Sequence, residues 1–254
     1  MRLRVLTYNI KDGGLGREAH ILQVLKAARA DVIILEEVYE ATPIGQWAEA
    51  LDMSFVFARG NSRRHLALMS RFTIESSANY HPQPPIHTAL LEATLRLDPE
   101  QSVRVFGVHL LAGPFILMEL WRVWELATIL RRVMADTNSP CVMVGDFNSI
   151  APGDPVHTHD WPAWLKLILA LQAGHVFRAA IRRVPAAGFF DCYREMHHDD
   201  AGFTLPVNAP NARLDYVFAS ADLHRGLRAC QVVREPAAVF SASDHCPLLA
   251  EFEL

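Results

Sequence analysis

The chain has 254 residues, 51% of them hydrophobic and 20% charged, with a formal net charge of -4 at pH 7. That apolar share can fill a large core and excludes an intrinsically disordered chain. The acidic balance argues against indiscriminate capture of nucleic acid, which is driven by Lys and Arg displacing counterions from phosphates.

Alternating apolar residues predict a first strand over Arg2 to Ile10, followed by a loop at Gly13, Gly14 and Gly16. Ile21, Leu22, Leu25 and Ala28 predict a helix, and Asp31 to Val38 a buried strand. Thr42 and Pro43 read as N-cap and first residue of a second helix through Trp47, Ala48 and Leu51. Met53 to Phe57 and Leu66 to Ser70 are strand-like, and Pro82, Pro84 and Pro85 mark a loop. Ala89 to Leu97 and Val103 to Leu111, joined by Asp98, Pro99 and Glu100, predict a hairpin. Phe115 to Met134 has helical length and spacing, Cys141 to Val144 is a short buried strand, and Trp161 to Leu171 is a helix. Phe189 to Met196 reads as a short helix, with strands at Leu214 to Ala219, Leu227 to Val233 and Pro247 to Leu254. Helices interspersed with strands, at least one pair of which is a hairpin, predict mixed sheets between helices.

The four cysteines, Cys141, Cys192, Cys230 and Cys246, lack CxxC spacing and the density of a disulfide framework, so they read as reduced thiols. MRLRVLTYNI reaches polar residues too soon for a secretory signal. The apolar stretches Gly107 to Trp124 and Trp161 to Phe177 are each broken by charged or histidine side chains, unlike a membrane span of about 20 residues. We expect a cytoplasmic monomer folded as one domain over residues 1–254, without a transmembrane segment.

Several polar side chains sit at the ends of these apolar runs. Glu37 ends the strand Val32 to Leu35 with Glu36 beside it, and in a strand the two point to opposite faces, so one joins a given site. A carboxylate there suits a hard divalent cation, and the amide oxygen of Asn9 could bind the same ion. In GDFN, Asp146 and Asn148 lie two apart, so an extended backbone aims both the same way, whereas a tight turn would use the same residues for backbone reasons. His109 lies among apolar neighbours, placed to donate to a developing oxyanion or to be satisfied by a backbone carbonyl. His245 in SDH adjoins Asp244, and Asp215 in RLDY offers a carboxylate that could orient its imidazole as a general base.

In order, TYNI, LEEV, GVHL, GDFN, RLDY and SDH resemble the endonuclease/exonuclease/phosphatase family from Asn9 to His245. The resemblance implies a four-layer αββα sandwich of two mixed sheets flanked by helices, and divalent-metal-dependent cleavage of a phosphoester by water. It implies Mg2+, or Mn2+, on Glu37 and Asn9 with Asp244 near it. Asp146 and Asn148 would position nucleophile and phosphate or hold a second ion. His245, oriented by Asp215, would be the general base, and His109 would touch the scissile phosphate. Whether His245 or Asp146 activates the water stays open, because coupled groups share a proton.

The segment HLALMSRFTI departs from the family pattern, which often begins with Gly and carries Pro before the last residue, where His65 and Thr73 stand here. The strand ending in His109 resembles the deoxyribonuclease, sphingomyelinase and phosphatase members and lacks the tyrosine-containing loop of exonuclease III types, which disfavours abasic-site repair. The leading expectation is a nuclease-like phosphodiesterase with Arg63, Arg64 and Arg71 as weak substrate contacts. The alternatives are a phosphomonoesterase, a sphingomyelinase-like lipid phosphodiesterase in peripheral contact with lipid, or a catalytically silent binding module. His157, His159, His197 and His198 read as loop histidines. Trp161, Trp164, Leu165 and Leu169 could edge an apolar cleft or touch lipid, but are expected in the core.

Overall fold

The computed structural model describes residues 1–80, 85–136 and 139–254. In chain order the first elements are β1 (Arg2–Asn9), α1 (Glu18–Ala28), β2 (Val32–Val38), α2 (Ala41–Leu51), β3 (Ser54–Ala58), β4 (His65–Ser70) and β5 (Thr73–Asn79). Next come β6 (Ala89–Arg96), β7 (Ser102–His109), α3 (Ile116–Val133), β8 (Cys141–Asp146) and α4 (Ala163–Leu171). The chain closes with α5 (Arg183–Ala186), β9 (Phe190–Asp191), α6 (Cys192–Met196), β10 (Asp215–Ala219), α7 (Ala221–His224), β11 (Leu227–Val232), α8 (Val239–Ala242) and β12 (Leu248–Glu253). One six-stranded sheet runs β11-β12-β1-β2-β4-β3 and the other β5-β6-β7-β8-β10-β9. Both are mixed, with β1–β2 and β7–β8 parallel.

Period-two alternation explains the layering. Leu3 and Val5 of β1, Val32 and Ile34 of β2, Val103 and Val105 of β7, Val142 and Val144 of β8, and Val217 and Ala219 of β10 share one core between the sheets. Their sequence neighbours Leu6, Tyr8, Ile33 and Leu35 face α1 and α2, while Phe106, Val108, Met143 and Phe218 face α3 and α5. The expected αββα sandwich is the observed fold. α1 buries Ile21, Val24, Leu25 and Ala28, the i, i+3, i+4, i+7 stripe of an amphipathic helix.

Four local readings change. α2 begins at Ala41 after an extended Glu40, so Pro43 lies inside the first turn, where its missing N–H forfeits no helical hydrogen bond. β5, TIESSAN, carries no apolar alternation strong enough to mark it; it is an edge strand held by backbone pairing to β6. The helix expected over Phe189 to Met196 divides, because Phe190–Asp191 pair with β10 and Asp191 then caps α6 by accepting from the amides of Tyr193 and Arg194. The expected core role of the helix after Trp161 fails: within α4 only Ile168 is buried, Leu165 and Leu169 are half-buried, and Trp164 is exposed. α4 leans across a slot onto the loops at Pro114 and Asn148 instead of covering a sheet. Of the proline loop, Pro85 forms a turn, and Pro82 and Pro84 lie outside the described residues.

Gly145 sets how closely β8 approaches β7. Its φ is 147°, and a Cβ there would stand 1.8 Å from the Val108 carbonyl oxygen. Gly145→Ala is expected to cost at least about 3 kcal/mol in urea unfolding, as backbone strain and overpacking combine. A loss below about 1 kcal/mol would show that the two strands part without penalty.

Candidate active site

The inner-face stripes that fill the core become polar at one end of the sandwich. Continuing each by two residues leads from Val5 to Thr7 and Asn9, from Ile34 to Glu36, from Val144 to Asp146 and from Val217 to Asp215; on β7, Val105 leads through Gly107 to His109. Strand register aligns them: Asp146 is opposite His109 on β7 and opposite Asp215 on β10, and Asn9 is opposite Glu36. Asn9, Glu36, His109, Asp146, Asp215 and His245 are all buried.

Two hydrogen bonds cross between the sheets here. Asn9 Nδ2 donates to Asp146 Oδ2 at 3.0 Å. His245, on the turn before β12, places Nδ1 at 2.9 Å from Asp215 Oδ2. Ser243 anchors that turn, its hydroxyl donating to the Asn9 carbonyl at 2.7 Å and accepting from the His245 amide at 3.3 Å. Nε2 of His245 and Nε2 of His109 both lie 3.8 Å from Asp146 Oδ2. Two imidazoles therefore converge on one carboxylate oxygen.

Asn148 adopts a left-handed φ of 48°, so the extended arrangement with Asp146 does not occur. Its amide donates to Asp146 Oδ1 at 2.8 Å, and its side-chain Nδ2 to the Leu110 carbonyl at 3.0 Å. This is the turn geometry that Gly, Asp and Asn favour, and it ties Asp146 to the loop after His109. Glu37 sits at a bulge with φ 60°, and its Oε2 accepts from the Asp12 amide at 3.0 Å with Arg64 Nε at 3.4 Å. The neighbouring Lys11 amide donates to Asn9 Oδ1 at 3.0 Å, so consecutive loop amides hold Asn9 and Glu37. Lys11 Nζ pairs with Asp244 Oδ2 at 3.0 Å.

Arg63 and Arg64 line a groove of about 380 Å³ with Tyr39, His87 and His109. Arg71 does not join them. The β2–β4 register sets Val38 against His65 and Val32 against Ser70, which sends Arg71 to the opposite end of the sheet. Glu36 is the residue that motif reading passed over: it points between the sheets, accepts from Thr7 Oγ1, and interacts electrostatically with Asp215 and Asp146. Its signal was parity with Ile34, which assigns it to the inner face that Asn9 and Asp146 share.

Crowding of charge sets the protonation states. Burial pushes Asp146 up to about 7, a rise that His245 opposes and Asp215 reinforces. Burial, Asp215 and Asp146 raise Glu36 well above the usual carboxylate range despite the Thr7 hydrogen bond. Burial alone would depress His245, but Asp215, followed by Asp146 and Asp244, pushes it up to about 10. His109 is driven down to about 3 by burial, with Arg64, His245 and His87 adding to it, and stays neutral.

A divalent cation fits these residues. Asp215 Oδ1 and Glu36 Oε2 are buried oxygens with no hydrogen-bond donor among the described residues, which is costly unless a positive charge offsets it. Ligand atoms of Asp146, Asp215 and His245 come within 4.8 Å of one another, and carboxylates with imidazole suit a hard or borderline cation.

The family model described as "Endonuclease/Exonuclease/phosphatase family" matches residues 6–245. The chain belongs to the endonuclease/exonuclease/phosphatase family. Members are metal-dependent hydrolases of phosphoester bonds, and this chain is one of them. An AP endonuclease from Archaeoglobus fulgidus superposes with a TM-score of 0.77 at 20% identity, over 99% of this chain and 100% of that one. The 3′ phosphatase NExo from Neisseria, bound to a product DNA hairpin, gives 0.74 at 18%, over 99% and 100%. An endonuclease/exonuclease/phosphatase protein from Beutenbergia cavernae gives 0.75 at 22%, over 100% and 72%. At these identities the superpositions speak for the fold. No curated protein matches the chain by sequence.

In the metal-free protein the His245 ring is expected to keep its proton through pH 8 and release it near about 10, read by NMR of the ring carbons. Asp215→Asn should return that titration toward about 6.5. Because the folded value is raised, the pair's contribution to stability is complete below about pH 6.5 and disappears as pH climbs through about 10. A native ring that deprotonates near 6.5 would contradict the assignment.

Proposed function

We propose that residues 1–254 form one catalytic domain that hydrolyses a phosphodiester with Mg2+, or Mn2+, held by Glu37 and Asn9 beside Asp146 and Asp244. The observation that carries this reading is the convergence of His245, His109 and Asn9 on Asp146 at the meeting of the two sheets. When bound, the cation would offset the negative charge of the phosphate and of the surrounding carboxylates, the same charge that keeps the His245 ring protonated in the metal-free protein, and so would free Nε2 to accept a proton. Asp215 fixes the His245 tautomer by accepting from Nδ1, leaving Nε2 toward Asp146. An oxygen beside both Nε2 and Oδ2 gives its proton to this pair and forms the new bond to phosphorus. The ester bond opposite breaks, and its oxygen leaves with a proton from solvent.

Neutral His109 donates a hydrogen bond to the phosphate without carrying a charge that would compete for the cation. Asn148 presents the remaining hydrogen of its amide nitrogen, since Leu110 holds the other. The full set of acid, base and carboxylate residues at one place has no use in a silent binding module. A nuclease-like substrate is supported by Arg63 and Arg64 in the groove beside His109, without Arg71. The lipid alternative is supported by the apolar slot that reaches Asn148 from the other side.

Bis-p-nitrophenyl phosphate, p-nitrophenyl phosphate, DNA, RNA and sphingomyelin, each with Mg2+ or Mn2+, form the decisive substrate panel. Diester hydrolysis is expected, abolished by chelation, and lowered about 10²- to 10⁴-fold in kcat by His245→Ala. Mg2+ should raise the thermal midpoint of the wild type but not of Glu37→Gln. Hydrolysis of the monoester alone would move the protein to the phosphatases, and no hydrolysis on the panel would overturn the reading.

A further inference from the structure

α3 is built inside out over its first half. Glu119, Arg122 and Glu125 are buried, while Leu117, Leu120, Trp121 and Trp124 face outward. The buried charges brace the loops around the site. Arg122 Nη1 donates to the carbonyls of Leu111 and Gly113, Glu119 accepts from Ser149 Oγ and the Ala180 amide, and Glu125 accepts from the amides of His87 and Leu111. Bracing thus uses the face that would normally be apolar and turns the large apolar side chains toward solvent.

α4 adds to that surface. Leu117 is 75% exposed, and on α4 Trp164, Leu167 and Leu171 are 58%, 62% and 77% exposed. Gln172 joins the two helices, its Oε1 accepting from the Ile116 amide and its Nε2 donating to the Pro114 carbonyl. Between them lies the apolar slot of about 240 Å³, walled by Pro114, Leu165, Ile168 and Leu169 and reaching Asn148 and Ser149. The surface carries little negative charge: Trp161 to Phe177 contains no carboxylate and one lysine, the exposed Lys166, the exposed Asp160 just before it lies 2.9 Å from His159 Nδ1, and the single carboxylate of Phe115 to Trp124 is the buried Glu119.

We propose that the outward faces of α3 and α4 dock on a phospholipid bilayer, and that the slot receives the apolar part of a lipid whose phosphodiester lies at Asn148. The substrate class rests on the phosphodiesterase reading; the docking does not. Exposed leucines that enter the acyl boundary, tryptophans whose rings suit the headgroup level, and an exposed lysine among them are what an anionic interface selects. A patch of this kind beside a site calls for a partner. A second copy would bring no phosphodiester to the slot. No described helix is long and apolar enough to cross a membrane, so the contact is peripheral.

The test uses the full chain carrying His245→Ala, without metal, sedimented with vesicles of phosphatidylcholine mixed with phosphatidylglycerol. Binding is expected, with tryptophan fluorescence quenched by brominated lipid in the same vesicles. Adding Leu117→Glu and Leu167→Glu should weaken binding about tenfold or more. On the wild-type background the two Glu substitutions should leave the thermal midpoint and bis-p-nitrophenyl phosphate hydrolysis unchanged while lowering hydrolysis of vesicle phospholipid. Absence of vesicle binding, or binding indifferent to the two substitutions, would overturn the docking. A dimer dissolved by the same substitutions would assign the face to a second copy instead. Vesicle binding without diester hydrolysis by the wild type would sink the phosphodiesterase reading alone, and cleavage of DNA or RNA with none of lipid would sink the lipid substrate alone.

Discussion

Asn9 to Asp146 and His245 to Asp215 are hydrogen bonds made from one sheet to the other, and the site exists because both can form. Each joins buried groups that water no longer solvates, so leaving either partner unmatched would cost the desolvation of a polar or charged side chain. That cost binds the geometry of the two sheets to the geometry of the chemistry. A one-residue slip of β8 would turn Asp146 to the helix-facing side and break its bond to Asn9, and the same slip of β10 would break that of Asp215 to His245.

Sandwiching gives each central strand an inner face, and filling that face with Val, Leu and Ile along most of its length holds the sheets together. The same stripe, continued to the strand ends, becomes Thr7, Asn9, Glu36, His109, Asp146 and Asp215. Stability and function thus use one periodicity. The cost is a buried excess of carboxylate, visible in the raised Asp146, Glu36 and His245 and in the two carboxylate oxygens without donors among the described residues. Lys11 and Arg64 stand beside Asp244 and Glu37 and offset part of it. A divalent cation held there would offset more, which would couple metal binding to folding.

α3 shows a second compromise. Its charged residues turn inward to hold Leu111, Gly113, Ser149 and Ala180, so the loops after His109 and Asn148 are fixed by buried hydrogen bonds as well as by apolar packing. The helical stripe of Leu and Trp then has no core to enter. What would be a defect in an isolated soluble helix becomes a surface next to the site.

Strand-end carboxylates, the paired Asp215 and His245 and the αββα layering were all legible in the sequence, because periodicity of two and the order of six motifs are local properties of the chain. Glu36 was legible too, through its parity with Ile34, but two adjacent glutamates at a strand end look alike until a bulge turns one of them. Only the tertiary structure decided that Asn148 closes a turn, that Arg71 lies at the far end of its sheet, and that α4 is exposed. Each of these depends on register or on which element covers which face, and such relations arise between segments distant in sequence, where no local pattern records them.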